Sequence, residues 1–412
     1  MKNNEIYQQI KQKYTEQGVD TEKALKTLQE IPISVHCWQT DNVTGLEQDT
    51  TKGGGILATG TYLGKARNVQ EIWTDLEKVL SITPGTKRIN IHAMYGDYRI
   101  DRDQIQPEHF QNWIYWAKKN NVELDFNSTM FAHPKAEKGF TLSSKDKKTR
   151  RFWIEHVKRC REIADYIGKN QHTPCFHNLW IPDGMKDITI DRMGYRNHLR
   201  ESLDEIYSEY YTHIKDNLES KLFGLASESY VVGSHDFYLG YSVQHQLLPC
   251  LDTGHYHPTE SVADKITAIL QFVPELILHI SRGVRWDSDH IPIQDDQTQD
   301  IFHELVRSNT LNRVHIALDY FDASINRIGA YTIGITTAQK ALLYALLEPT
   351  EKLREYEEEG KYYQRLALLE EQKSMPIGVI WEHYCLENNV PTGTQLIKEI
   401  QQYEEQVLSK RK

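Results

Sequence analysis

Along most of this chain a short apolar segment is followed by a longer stretch of helical periodicity, and that alternation restricts the possible folds more than any other feature. The apolar segments are ISVHCW (33–38), RINIHAMYG (88–96), VELDFNSTMF (122–131), TPCFHNLWIP (173–182), LESKLFG (218–224), QLLPCLDTGH (246–255), ELILHIS (275–281) and RVHIALDYFD (313–322). Between them, stretches such as QPEHFQNWIYWAKKNN, KTRRFWIEHVKRCREIADYIGK and ESVADKITAILQFV carry apolar residues at helical spacing. Strands alternating with helices predict a parallel sheet with crossover helices, and eight such units suit an α/β fold closed into a (β/α)8 barrel.

The 412 residues accommodate such a barrel as one domain over residues 1–345. It is preceded by a charged helix reaching to about residue 28, with Ile6, Ile10 and Tyr14 spaced at fours. Residues 346–412, including EPTEKLREYEEEGKYYQRLALLEEQK, read as a helical extension outside the barrel and as an oligomer-forming arm.

Composition removes several classes of function. No run of about 18 apolar residues is present, which disfavours a membrane span. MKNNEIYQQIKQKY lacks the apolar stretch and cleavage site of a secretory signal, so a cytoplasmic protein is expected. Cys37, Cys160, Cys175, Cys250 and Cys385 are odd in number and form no C-x-x-C pair, as expected of buried free thiols rather than a disulfide framework or zinc ribbon. A net charge of -10 without a basic stripe argues against a nucleic acid partner.

Barrels of this kind carry their chemistry at the C-terminal ends of the strands, and the acids and imidazoles of this chain gather there. In LDTGHYHPTE, Asp252 and His255 flank a Gly turn, and in HISRGVRWDSDH His279 is followed by Asp287 and Asp289, two apart. Carboxylates that close together are costly unless a cation or proton offsets them. Oxygen donors with one imidazole suit manganese, magnesium, cobalt or zinc. His255, Asp287 and Asp289 make a three-donor group with open positions, and Glu219, Asp252, His279 and Asp319 a more closed one, with Asp252 placed to bridge. The alternative is a salt-bridge network with Arg282 and Arg285.

VHCWQTDNVTG, GGGILATGTYLGKARN, NIHAMYG, LDFNSTMFAHP, NLWIPDGMKDIT, ESKLFGLASESYVVGS, CLDTGHYHPTE, RWDSDH, LDYFDASINRIGA and RLALLEEQKSMP together resemble the bacterial L-rhamnose isomerases over essentially the whole chain. The resemblance implies a cytoplasmic homotetramer that interconverts L-rhamnose and L-rhamnulose, the entry into rhamnose catabolism, with two divalent ions per subunit, usually manganese. By similarity Glu219, Asp252, His279 and Asp319 hold a structural ion and His255, Asp287 and Asp289 the catalytic one. Lys221 matches a lysine that the wider xylose isomerase group places beside a substrate oxygen.

Moving a carbonyl between C1 and C2 of an open-chain sugar builds charge on both oxygens, which two ions and Lys221 can offset. Asp319 is a candidate acid and base for an enediol route, the other route being a metal-assisted hydride shift. His92 is a candidate for opening the pyranose ring, and Trp38, Phe131 and Trp180 offer apolar faces to the sugar. The glycine-rich stretch 51–66 has neither phosphate-binding spacing and reads as a flap that brings Ile56 and Leu57 over the sugar. The competing functions are an aldose–ketose isomerase of different sugar preference, a two-metal hydrolase or endonuclease on the same barrel, and a non-catalytic sugar-binding protein.

Overall fold

A computed structural model describes residues 2–47, 59–222, 228–284 and 288–411. Eight parallel strands close into a barrel: β1 (Ile33–His36), β2 (Lys87–His92), β3 (Glu123–Asn127), β4 (Cys175–Leu179), β5 (Ile214–Glu219), β6 (Leu248–Asp252), β7 (Leu276–Ile280) and β8 (Val314–Leu318). Each pairs with its neighbours in sequence, and β8 closes against β1 through Ile33↔Ile316 and Ser34↔Ala317. The alternation thus yields the expected (β/α)8 barrel.

Two expectations need correction. The single N-terminal helix is two, Lys2–Glu16 and Thr21–Glu30. Gly18, at φ +85°, turns the chain where other L-residues are strained, and the Asp20 side chain accepts from Lys23 N–H to start the second helix. The fifth strand runs over 214–219 and not 218–224. Its IKDNLE sequence hides it, because the pleat sends polar groups to both faces. Lys215, Asn217 and Glu219 share one face, while Asp216 turns outward to Arg161 (Nη2–Oδ2 2.9 Å) and His177 (Nδ1–Oδ1 2.8 Å).

The register explains the character of the interior. Cross-strand partners include His92↔Asn127, Asn127↔Asn178, Asn178↔Asn217, Glu219↔Cys250, Asp252↔His279 and His279↔Ala317. One side of the sheet is therefore lined by polar and small residues where branched apolar ones normally fill a barrel. The hydrophobic set lies on the other face, where Leu124, Phe126, Leu276, Leu278, Ile280, Val314, Ile316 and Leu318 are buried. Helix Arg327–Leu346, rich in Ala, Gly and Thr, packs closely enough that a Cβ at Gly334 would lie 2.2 Å from the Tyr320 hydroxyl. That tight contact fixes the residue next to Asp319.

Beyond the barrel, helices Thr350–Glu358, Tyr362–Gln372, Ile377–Glu387 and Gly393–Gln406 fold back over its outer helices. Tyr384 donates to Gln29 (2.8 Å), Tyr403 to Asp75 (2.6 Å), and Arg411 pairs with Asp75 (2.6 Å). Among the described residues, no helix is long and apolar enough to cross a membrane.

Candidate metal centre

Three strand ends and the residue just past β8 converge on one point at the C-terminal mouth of the barrel. One donor atom from each of Glu219, Asp252, His279 and Asp319 lies within 4.8 Å of all the others. His279 Nδ1 stands 3.2 Å from Asp319 Oδ2, 3.4 Å from Glu219 Oε2 and 4.0 Å from Asp252 Oδ2. One oxygen of each carboxylate is held by the protein itself. Asn178 Nδ2 donates to Glu219 (2.5 Å), Trp38 Nε1 to Asp319 Oδ1 (3.1 Å), and Gly254 N–H with Ser281 Oγ to Asp252 Oδ1 (2.7 and 3.1 Å).

The inner atoms are not satisfied in this way, for Asp252 Oδ2 and His279 Nδ1 are buried without a hydrogen-bond partner. Buried polar atoms normally have one. Burial pushes the Asp252 carboxyl up to about 7, His255 opposing the shift and Glu219 and Asp319 adding to it. Burial opposes the charge on Asp319 as well, yet the His279 imidazole beside it holds it below the usual carboxylate range. For His279 burial also works against the charge, but Cys250, Glu219 and Asp319 together raise the imidazole well above its ordinary value. A proton on His279 thus stands where positive charge is needed, and three carboxylates with one imidazole fit a divalent ion at that point.

Cys250 lies one register position away, grouped with Glu219 and His279. Burial pushes its thiol up to about 12, so it is a neutral neighbour and not a thiolate ligand. All five cysteines are buried and free, as expected.

The second donor set is brought in part to the same cleft. His255 and Asp289 line it together with Glu219 and Asp319, whereas Asp287 lies outside the described residues. The His255 ring sits 3.4 Å from Glu219 Oε1, which joins the two groups. Asp289 is not in plain extended backbone: its φ is +44°, and its carbonyl accepts from Phe321 N–H (3.2 Å). Arg282 donates to the carbonyl of Ile291 (2.9 Å) and pairs its backbone with His290. Arg285 lies outside the described residues, as do Ile56 and Leu57 of the glycine-rich stretch.

The family model for L-rhamnose isomerase (RhaA) matches residues 1–411 of this chain. The chain belongs to the L-rhamnose isomerase family. The L-rhamnose isomerase of Bacteroides thetaiotaomicron is 56% identical over 409 residues, covering 98% of each chain. That of Salmonella agona is 52% identical over 412 residues, covering 99% of this chain and 98% of its own. Among solved structures, a D-psicose 3-epimerase from Clostridium cellulolyticum H10 covers 76% of this chain and 98% of its own at a TM-score of 0.49 and 13% identity, a likeness too slight to bear on the reaction.

In this member of the family the cleft has an aromatic wall. Trp38 meets His92 edge-on at 4.5 Å between centroids, His92 meets Phe131 at 5.4 Å, and Phe131 meets Trp180 at 6.2 Å. All four line the cleft with Asn127, Ser128, Asn178 and Phe321, of which the sequence had pointed only to Asn127, as a polar residue at a strand end. Burial pushes His92 down to about 3, so its ring is neutral in the working range of an enzyme. Thr129 Oγ1 already accepts from Met94 N–H and stands 3.2 Å from His92 Nδ1. The second lone pair and the proton of that hydroxyl both remain for Nδ1, so the contact holds the ring in place in either tautomer.

Lys221 is placed behind this wall. Its ammonium lies 5.5 Å from the Trp180 ring centroid and donates to Pro182 O (3.1 Å) and Glu228 (2.7 Å). Two other acids near strand ends are structural. Asp125 is clamped by Arg88 and Ser34 toward the barrel's base, and Asp183 accepts four bonds from Thr141 and Ser143.

Proposed function

We infer that this chain is an aldose–ketose isomerase that interconverts L-rhamnose and L-rhamnulose by moving the carbonyl between C1 and C2. The observation that carries the reading is the quartet of buried Glu219, Asp252 and His279 with half-buried Asp319, two of its inner atoms unpartnered, at the mouth of a barrel matched by the family along its whole length. Glu219, Asp252, His279 and Asp319 would hold one ion, and His255, Asp289 and Asp287 a second. When bound, such ions supply fixed positive charge against the negative charge that develops on the sugar oxygens. Manganese is the proposed metal, with zinc, cobalt or magnesium as substitutes of the same donor preference.

The chain's own groups then have separable tasks. In the tautomer protonated at Nε2, His92 donates to the ring oxygen during opening of the pyranose. Asp319, fixed by Trp38, accepts and returns a proton if the hydrogen moves through an enediol. Lys221 steadies a developing oxyanion, exchanging its bond to Pro182 O or Glu228 for one to the substrate. Trp38, Phe131 and Trp180 pack the apolar edge and methyl group of the sugar and keep water out. We also propose a cytoplasmic homotetramer in which the 346–412 extension contributes the contact. Tyr362, Tyr363 and Leu366, exposed on helix Tyr362–Gln372, support that role.

Stripping the protein with a chelator and returning Mn2+ is expected to abolish and then restore conversion of L-rhamnose, in preference to D-xylose, L-mannose and D-allose. Turnover of one of those sugars above L-rhamnose would instead assign a different isomerase. Deuterium at the migrating position separates the two routes: retention in the product marks a hydride shift, and loss to water the enediol. His255→Ala and Asp289→Ala are each expected to remove turnover while the far-ultraviolet circular dichroism is unchanged. Full activity in either would remove the second donor set.

A further inference from the structure

The lobe behind His255 contains a closed circuit of hydrogen bonds that no task above uses. His255 Nδ1 lies 2.8 Å from Ser220 O, His235 Nε2 lies 2.8 Å from His255 O, and Ser220 Oγ lies 2.5 Å from His235 Nδ1. Ser220 follows the end of β5, His255 follows β6, and His235 opens the helix His235–His245 between them. The circuit therefore ties together the two loops that carry Glu219 and His255.

The proton positions follow from which atoms can only accept. A carbonyl oxygen has no hydrogen, so His255 must carry its proton on Nδ1 to bond Ser220 O, and His235 must carry one on Nε2 to bond His255 O. With Nε2 turned to that carbonyl, the other nitrogen of the His235 ring, Nδ1, meets the Ser220 hydroxyl and closes the circuit. With Nδ1 of His255 committed as a donor, Nε2 is the lone-pair nitrogen of that ring. A metal takes a neutral imidazole by such a nitrogen, and the bond made by the other nitrogen decides which one it is. The His235 ring is itself held flat against Tyr256, with centroids 3.9 Å apart and planes at 20°.

We propose that His235 is a positioning residue for the metal centre, which locks the His255 loop and, through Ser220, keeps His255 in the tautomer whose Nε2 carries the lone pair that a divalent cation takes. The inference rests on the reading of His255 as a metal donor. It adds a residue from outside the cleft, connected to the reaction through two backbone carbonyls and a hydroxyl.

The test is calorimetric titration of the metal-stripped full-length protein with Mn2+ alone, alongside the thermal midpoint of the same metal-free samples. His235→Phe keeps an aromatic ring against Tyr256 and removes both nitrogens. It is expected to weaken Mn2+ binding by about 10- to 100-fold with little change in the metal-free midpoint. His235→Gln restores a donor toward His255 O and is expected to recover part of that loss. Ser220→Ala, which removes the hydroxyl and leaves the carbonyl, is expected to fall between wild type and His235→Phe. Wild-type Mn2+ affinity in His235→Phe, or the same loss in His235→Gln as in His235→Phe, overturns the proposal. Should His235→Phe not fold, Ser220→Ala with unaltered affinity does so. A wild-type protein that fails to convert L-rhamnose counts against the proposed function and leaves this comparison of affinities intact.

Discussion

Asp252→Asn is expected to stabilise the metal-free protein while removing nearly all of its turnover. Asparagine keeps the oxygen that accepts from Gly254 N–H and Ser281 Oγ and replaces only the unpartnered, charged one. In the unfolded chain an aspartate ionises near 3.9, whereas in the fold burial raises Asp252 to about 7. Between those values the folded state holds a proton that the unfolded state has lost. The metal-free protein therefore loses stability as pH rises through that window, and the penalty is complete above about 7. The asparagine variant has no such penalty. In urea titrations of metal-stripped samples it should exceed wild type by roughly 2 kcal/mol at pH 8 and converge with it below pH 4. Added Mn2+ should reverse the order, because only wild type binds it well. In the reconstituted enzyme kcat/KM should fall about a thousandfold, the equivalent of the several kcal/mol a Lewis-acidic ion contributes. A variant no more stable at pH 8, or with a tenth of normal activity, would show that charge at Asp252 is not what the site is built around.

The same arrangement explains which parts of the molecule could be read from its sequence. Strands such as LILHI in β7 declare themselves, because their outward residues are continuous aliphatics and only His279 interrupts the inward set. IKDNLE in β5 does not, since its interior face serves the site and its exterior face holds Asp216 for Arg161 and His177. Asp252, His279 and Asp319 were legible because each stands at the end of an apolar run or just past one, whereas Glu219 closes the polar strand β5 and was read from the wrong strand bounds. Asn178 was not: a single amide in a strand has no spacing that distinguishes a partner of Glu219 from a filler of the barrel. His235 is further from view, for it acts through carbonyls, which no side-chain pattern records. Asp183 shows the converse limit. It stands after a strand as the ligands do, yet four bonds from Thr141 and Ser143 consume it, and those partners come from a loop some forty residues earlier in the sequence.

Arg102→Met is expected to have the largest effect on stability and to reach the cleft without touching it. Arg102 is 1% exposed. It donates to Glu47 through Nε (2.8 Å) and Nη2 (2.6 Å), and to the carbonyls of Thr129 (2.9 Å), Phe131 (2.6 Å) and Ala132 (3.3 Å). Methionine fills the space of the stem and leaves a half-buried carboxylate and three carbonyls without those donors. Removing one partner of a buried pair costs about 3–5 kcal/mol, which urea unfolding at pH 7 should register. Lysine, with one compact ammonium in place of a planar fork, should restore only part of it. Burial opposes the charge on Glu47, but Arg102 outweighs burial and holds its carboxyl below the ordinary range. The contribution of the pair is therefore full above the unfolded glutamate value and fades as pH falls, so the gap between wild type and Arg102→Met should narrow toward pH 3. The effect on activity follows from what the guanidinium holds in place. Thr129 orients His92, Phe131 continues the aromatic wall, and Ala132 sits at φ +51°, a backbone conformation that needs support. Loosening that loop misplaces the groups that face the sugar, and displacement of about 1 Å can cost on the order of a hundredfold in rate. Arg102→Met should therefore lose kcat/KM for L-rhamnose while binding Mn2+ normally. Loss of Mn2+ affinity instead would mean that the 129–132 loop supports the metal donors and not the substrate wall.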